Sequence, residues 1–321
     1  ERLQQITGDQ AMLMANVGLK VTLDHFYGIE IDEWPARIAE TAMFLIDRQC
    51  DLKLNERLGW TPNRLPIHEQ ATITVANALT TDWTEICPPS EAVIIAGNPP
   101  FLGISLRSEA QTEDLRTVWG TGYHGTLDYV TGWHAKALDY FRNTNGRWAF
   151  VTTNSITQGE AVAPLFDPIV ESGWRILFAH RTFRWESEAV GAAAVHCVII
   201  GFTKDSSSPR LFDYTGDSPR EIPDVKNINP YLTDGPTVIV RSSTHPLNPQ
   251  LGTVAYGNKP TDGGHLIVEP DEYDAVAADP IPAKYLRKFI AARELLQEAR
   301  RRLSPTVRPQ FFPLSFRCVR A

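Results

Sequence analysis

The stretch IIAGNPPFLG, residues 94–103, decides which fold the chain can adopt. Its apolar first half ends in the amide of Asn98, and two prolines and Phe101 follow. A short apolar run bounded by turn residues predicts a buried strand. Neither proline has a backbone N–H with which to continue a strand ladder, so the chain must leave the strand through a stiff corner. The stretch therefore predicts a strand that holds an amide and an aromatic ring rigidly at its carboxyl end.

Strand and helix patterns alternate on both sides of this corner. Apolar and β-branched runs predict strands over residues 24–31, 71–79, 92–97, 147–155, 175–183 and 192–202. Apolar residues spaced by three and four predict helices over residues 33–49, 127–141 and 161–173, and the polar, glycine-rich stretch 103–125 predicts an irregular connection. This order favours an α/β fold, a Rossmann-like doubly wound sheet. The last two strands leave no room for a crossover helix and predict an antiparallel hairpin at the edge of that sheet.

The composition narrows the class of protein. Hydrophobic residues make up 43% and charged residues 21% of the 321 residues, as in a globular protein with one large or two modest domains. No apolar run has the length needed to cross a bilayer, and the four scattered cysteines show neither a disulfide framework nor metal-ligand spacing. These features predict a cytoplasmic protein without a metal or a membrane partner. The net charge of −7 counts against a nucleic-acid binder, because the chain as a whole lacks a basic surface.

Polar side chains stand at the carboxyl ends of three successive predicted strands, at Glu30, Asn77 and Asn98. In an open parallel sheet these ends meet at one edge, where ligands bind. Two of the residues also have an ordinary structural explanation, because Glu30 can stabilise the start of the next helix and Asn77 can form a turn or a cap. Taken together, the three strand ends predict a ligand site at this edge.

The Asn-Pro-Pro-Phe corner resembles the (Asn/Asp/Ser)-Pro-Pro-(Tyr/Phe) motif of amino-methyltransferases, chiefly the adenine-specific DNA enzymes. Further stretches are similar, in the same order, to the methyltransferase part of MmeI-type (type IIL) restriction–modification proteins: FYGIEIDEWPARIAETAMFLID, NAL and DW, DYVTGWHAKALDYF, FVTTNSITQGE, FAHRTFRWESEA, AAVHCVIIGF and YGNKPTDGG. The resemblance covers most of residues 20–295. It implies a class I fold with S-adenosylmethionine (SAM) as cofactor and double-stranded DNA, with the target adenine flipped out, as partner. It also allows a nuclease, fused or separate.

The resemblance assigns the chemistry to the corner. There the Asn98 side chain and the Pro99 carbonyl would accept hydrogen bonds from the adenine amine, and Phe101 would stack on the flipped base. The implied catalytic motif is Asn98, Pro99, Pro100 and Phe101. Phe183 and Trp185 are candidates for the opposite face of the base, with ordinary packing at a strand end as the alternative.

The resemblance also implies a cofactor site on the two preceding strand ends. Glu30, with Ile31 beside it, would hold the SAM ribose, and Asn77, with Ala78, would hold the SAM adenine. Many relatives have Asp at the position of Asn77. The sequence thus predicts that the cofactor and the target base meet at one edge of the sheet.

One expected element is missing, and this shapes the domain assignment. Such enzymes carry a glycine-rich SAM loop after the first strand, similar to Asp-Pro-Ala-Cys-Gly-Ser-Gly, and residues 1–23 contain no match. The GTGYHG stretch resembles a dinucleotide fingerprint by its letters alone, because no strand precedes it. We therefore expect a fragment that is inactive by itself.

We assign residues 1–203 to an incomplete methyltransferase domain, 204–295 to an extension leading toward target recognition, and 296–321 to the start of a target-recognition region or an irregular tail.

Two other functions remain open from the sequence. The same Asn-Pro-Pro-aromatic motif occurs in enzymes that methylate a glutamine side-chain amide in a protein, and the acidic charge suits that substrate. The FAHRTFRW and YGNKP stretches favour the DNA enzymes instead. A third reading is a truncated remnant that folds or binds a partner without turnover.

Overall fold

The computed structural model describes residues 21–59, 70–185, 195–214, 216, 218–243, 248, 250, 267–268, 271–289 and 318–320. The chain divides into two compact units, Glu1–Ser242 and Ser243–Ala321.

The first unit alternates strands and helices. Its strands are β1 (Tyr27–Glu30), β2 (Thr72–Val75), β3 (Ile94–Gly97), β4 (Arg147–Thr153), β5 (Arg175–Trp185), β6 (Val195–Thr203), β7 (Arg210–Tyr214) and β8 (Pro219–Ile222). Its α-helices are α1 (Glu33–Leu58), α2 (Trp83–Ile86), α3 (Glu109–Trp119), α4 (Thr131–Tyr140) and α5 (Val162–Glu171). These elements confirm the predicted α/β class.

The strands of the first unit form two sheets. Strands β1 and β2 pair in parallel, and the other six follow the order β3-β4-β6-β5-β7-β8. Strands β3, β4 and β5 run parallel, so their carboxyl ends share one edge, and β6 runs antiparallel between β4 and β5. The antiparallel pairing of the last two predicted strands is confirmed, although residues 192–194 of that prediction lie outside the described residues. Their hairpin is not at the sheet edge, because the free side of β5 pairs with β7.

Helix α3 corrects the expectation that residues 103–125 are irregular. A reciprocal capping box begins it: Ser108 Oγ accepts from the Gln111 backbone N–H at 3.2 Å, and Gln111 Oε1 accepts from the Ser108 N–H at 2.9 Å. Such a box satisfies two amides that the first turn otherwise leaves without partners. The helix then buries Leu115 completely, beside Leu79 and Tyr129. The Ser-x-x-Gln signal was present in the sequence.

The main core lies where α4 and α5 pack on the central strands β4 and β6. The indole of Trp148 stacks on Phe202 with ring centroids 5.0 Å apart, and both side chains are at most 1% exposed. His134 of α4 and Phe166 of α5 both contact that Phe202 ring. Burying each such ring contributes roughly 1.5–3 kcal/mol. This packing makes the central strands the rigid support for the loops at their carboxyl ends.

The sheet continues past the predicted domain boundary at residue 203. Strands β7 and β8 pair with each other and extend the sheet beyond β5 to Ile222. The second unit contains a three-stranded parallel sheet in the order β10-β11-β9, formed by β9 (Ile267–Val268), β10 (Lys288–Phe289) and β11 (Cys318–Arg320), and a helix, α6 (Tyr273–Ala278). The predicted segment 296–321 lies outside the described residues apart from β11. Among the described helices, none has the length and apolar character to cross a membrane.

Candidate active site

The corner after β3 presents its polar group to solvent. Gly97 ends the strand beside the Phe150 ring, and a Cβ atom there would lie 3.4 Å from that ring. Asn98 is exposed, while Pro99 is buried and Phe101 half-buried. The Asn98 side chain makes no hydrogen bond to any residue that the structure describes. The buried proline therefore fixes a corner whose amide oxygen is available to a ligand. Pro100, the next residue, is exposed.

The loop that follows the corner is tied to the segment before α4. The Tyr129 backbone N–H donates to the Leu102 carbonyl at 3.0 Å. Arg107 Nη1 donates to the Leu127 carbonyl at 2.6 Å, so the loop is held at both of its ends. Between these anchors, the Leu106 N–H donates to the Gly103 carbonyl at 3.0 Å and closes a turn. The corner thus has little freedom to move relative to α4.

A carboxylate that the sequence analysis did not single out lies beside this loop. Asp128 Oδ2 accepts from Ser155 Oγ, and Thr153 Oγ1 lies 3.5 Å from the same oxygen. The other carboxylate oxygen, Oδ1, lies 3.8 Å from the position a Cβ atom would take at Gly103. Asp128 therefore binds Ser155, just after β4, and lies close to Gly103 in the loop after the corner. In the sequence, Asp128 is only an acidic residue at the start of the predicted helix 127–141.

The ends of β1 and β2 lie side by side, as the predicted cofactor site requires. Glu30 is level with Val75 in the parallel ladder, and the Ala76 N–H donates to the Glu30 carbonyl at 2.8 Å. The Glu30 carboxylate accepts one hydrogen bond, through Oε1, from the Ile31 N–H at 3.0 Å. The Ile31 side chain is 62% exposed. Glu30 is thus half-buried at a strand end, and no residue in the described ranges donates a hydrogen bond to its second carboxylate oxygen, so that oxygen can accept from a ligand hydroxyl.

Asn77 is engaged in an internal network. Its Oδ1 accepts from the Leu79 N–H at 2.9 Å, and its Nδ2 donates to Asp114 Oδ2 at 3.0 Å. Tyr129 OH donates to the same Asp114 oxygen at 2.9 Å, and burial, together with that carboxylate, raises the pKa of the Tyr129 hydroxyl. The neighbouring Ala78 carbonyl accepts from Trp83 Nε1 at 2.8 Å. The turn-forming role is therefore present in the structure, and contact of Asn77 and Ala78 with a cofactor stays a prediction.

The two stacking candidates lie some distance from β3. Phe183 stacks on Tyr214 with ring centroids 4.9 Å apart and an interplanar angle of 27°, so one of its faces is already covered. Trp185, at the end of β5, is 40% exposed. Because β5 is three positions from β3 in the sheet, these rings lie about 14 Å across it. The structure favours packing for Phe183 and leaves Trp185 the more accessible ring.

Two histidines in the described ranges, His134 and His180, pack against aromatic rings. His134 is fully buried between the Phe150 and Phe202 rings, and burial lowers its pKa to about 3. His180 stacks on Phe212 with centroids 4.5 Å apart. Within the described part of the chain, no group of three or more His, Cys, Asp or Glu side chains could hold a metal ion.

Comparison with known proteins agrees with this α/β fold. The family model for the MmeI DNA-methyltransferase domain matches residues 2–213, and the model for the MmeI target recognition domain matches residues 234–303. The second match begins within the segment that we assigned to a post-catalytic extension.

Two relatives match nearly the whole chain. DNA methyltransferase A of Bacillus subtilis (strain 168) is 35% identical over 301 residues, which are 92% of this chain and 33% of that protein. The structure of the type IIL restriction–modification enzyme MmeI in complex with DNA is 40% identical, with a TM-score of 0.75, over 90% of this chain and 40% of that one. The chain thus spans well under half the length of either relative. By its domain match, the chain belongs to the MmeI family of DNA methyltransferases.

Proposed function

We propose that the protein carrying this chain transfers a methyl group from SAM to the N6 amine of an adenine at a specific site in double-stranded DNA. It would do so as the modifying activity of a restriction–modification system, in the cytoplasm and together with a fused or separate nuclease. The observation that carries the proposal is the exposed Asn98 amide at the end of β3, held by buried Pro99 and by the Leu102–Tyr129 hydrogen bond. Membership of the MmeI family supports DNA as the substrate.

The corner suits the chemistry of an exocyclic amine. The lone pair of the adenine amine is delocalised into the ring, which makes the nitrogen a poor nucleophile. If Asn98 Oδ1 and the Pro99 carbonyl both accept from this NH₂ group, the nitrogen moves toward tetrahedral geometry and its lone pair becomes available. Positioning and hydrogen-bond acceptance then supply the catalysis without a strong base. As the new N–CH₃ bond forms, the sulfonium sulfur keeps the electron pair of the broken S–CH₃ bond, and the cationic methylated amine releases one proton to solvent. A base must leave the duplex to reach this corner, and the half-buried Phe101 ring would receive its face.

The ends of β1 and β2 fit the nucleoside part of SAM. The cofactor supplies an activated methyl group on a sulfonium. Glu30 has a carboxylate oxygen, suited to the ribose hydroxyls, that accepts no hydrogen bond from the part of the chain that the structure describes, and exposed Ile31 offers an apolar surface beside it. Asn77 and Ala78 would flank the adenine ring. Because both polar atoms of the Asn77 side chain already have partners, we give this residue a positioning role with respect to SAM.

The decisive experiment compares two asparagine variants in the protein that carries this chain with its target recognition domain. Transfer of labelled methyl from SAM to DNA should fall at least about 100-fold in Asn98→Ala, while DNA binding changes little. Asn145→Ala, an exposed asparagine in the connection before β4, is the matched control and should retain activity. Near-full activity of Asn98→Ala would refute the role of this amide. Methyl label in protein and none in DNA would favour glutamine methylation instead.

A further inference from the structure

We propose that the turn Gly103–Leu106, called here the tip, enters the base stack of the DNA beside the flipped adenine. Ile104 and Leu106 are the side chains that would occupy the space the base leaves. The inference rests on the proposed function and adds to it the residues that stabilise the opened duplex.

The tip exposes apolar surface. Ile104 is 54% exposed and Leu106 is 72% exposed, with exposed Ser105 between them. Two large aliphatic side chains held in water so close together mark a contact surface. The tip itself carries no charged side chain, so it suits the interior of a base stack better than the phosphate backbone.

The tip is held in place on the protein side. Its carboxyl anchor is the hydrogen bond from Arg107 Nη1 to the Leu127 carbonyl, and its amino anchor is the bond from the Tyr129 N–H to the Leu102 carbonyl. The Arg107 side chain is thereby turned toward the protein. Because the tip is fixed, inserting it into DNA would not require ordering a loose loop, which otherwise reduces binding affinity.

The tip also lies next to the catalytic corner. Gly103 follows Phe101 by two residues, so their Cα atoms are at most about 7 Å apart. The turn brings Leu106 back toward Gly103, with its N–H 3.0 Å from the Gly103 carbonyl. A base received by Phe101 would therefore leave its gap close to Ile104 and Leu106. Proteins that open or kink a duplex insert apolar side chains such as Ile and Leu between base steps.

The test measures flipping and methylation in the protein that carries this chain with its target recognition domain. Ile104→Ser and Leu106→Ser are compared on two duplexes, one with the target adenine paired and one with it opposite an abasic site. Fluorescence of 2-aminopurine at the target position reports the flipped state directly. Leu45→Ser is the matched control, because Leu45 is also an aliphatic side chain, 60% exposed, and lies on helix α1, outside the corner, the tip and the segment that matches the target recognition domain.

On the paired duplex, we expect the methylation rate of the tip variants to fall about tenfold or more. The 2-aminopurine fluorescence that reports the flipped base should also be lost. On the abasic duplex, whose target base is already unpaired, they should approach the wild-type rate, because little remains for the tip to stabilise. Equal rates for wild type and tip variants on the paired duplex would overturn the proposal. An equal loss on both duplexes would also overturn it, since the tip would then support the fold or another protein segment. If wild type methylates neither duplex, the proposed function itself fails.

Discussion

The Asn77 side chain donates a hydrogen bond to the Asp114 carboxylate at 3.0 Å, and thereby joins the turn after β2 to helix α3. Tyr129 donates to the same carboxylate oxygen and brings in the segment before α4. The sequence indicated Asn77 as a cofactor ligand. That role stays a prediction, and its position in the network also makes Asn77 a residue that holds two neighbouring elements of the candidate site in register.

Asn77→Asp should destabilise the protein, although it only replaces the side-chain NH₂ group with an oxygen. The substitution replaces the donor to Asp114 with a second carboxylate, so a hydrogen bond to a charged group becomes a repulsion. We expect the free energy of unfolding at pH 7 to fall by about 2–3 kcal/mol, measured by urea denaturation. The loss should shrink in acid, where a proton shared by the two carboxyl groups removes the repulsion.

The double variant Asn77→Asp, Asp114→Asn is the control for this prediction, because it restores one amide and one carboxylate with their positions exchanged. Most of the lost stability should return. If the single variant is as stable as wild type, the Asn77–Asp114 bond does not hold α3 in place.

Gly201 in β6 should not tolerate a side chain. It is opposite Phe178 of β5 in the antiparallel ladder, and a Cβ atom at this position would overlap the Phe178 ring. Gly201→Ala should therefore lower the free energy of unfolding by roughly 1–3 kcal/mol, as overpacking does elsewhere. In a Phe178→Ala background the same change should cost much less. Additive losses would show that the ring is not the obstacle.

The buried His134 should make stability depend on pH. Its folded-state pKa of about 3 lies below its ordinary value of 6.5. Between these values the unfolded chain binds a proton that the folded chain does not, so stability falls as the pH drops below 6.5. The contribution of this residue should reach about 2 kcal/mol by pH 5, at roughly 1.4 kcal/mol per pH unit. In urea unfolding at pH 5–7, the free energy of unfolding of His134→Leu should therefore fall less steeply with decreasing pH than that of wild type. An equal dependence on pH for the two proteins would contradict the prediction.

The two rings of β5 should differ when each is removed. Phe183→Ala removes a ring stacked on Tyr214 and should cost about 2 kcal/mol of stability. Trp185→Ala removes a ring that is 40% exposed and should cost less than about 1 kcal/mol. If Trp185 receives the flipped base, its variant should nevertheless lose more methylation than Phe183→Ala, measured under conditions where both are folded. The reverse order for methylation would favour Phe183 as the stacking residue.

Short sequence patterns predicted much of the fold and part of the candidate site. Apolar and β-branched runs indicated β3 and β4, and the two prolines after Asn98 indicated a corner at the end of β3, because these signals depend on neighbours in the chain. The same signals missed α3, because its capping box at Ser108 lies among glycines and polar residues that favour an irregular segment. They could not reveal Asp128, since its partners Thr153 and Ser155 are at least 25 residues away.

The sequence by itself determined the α/β class, the Asn-Pro-Pro-Phe corner and, through resemblance, the family. Strand periodicity, turn chemistry and motif spacing are written in short stretches of chain. Only the tertiary structure decided that β6 enters between β4 and β5, that Asn77 holds Asp114, and that the tip after the corner stands exposed on two anchors. These features depend on hydrogen bonds and apolar contacts between residues that are far apart in the sequence, and such contacts form only when the chain packs.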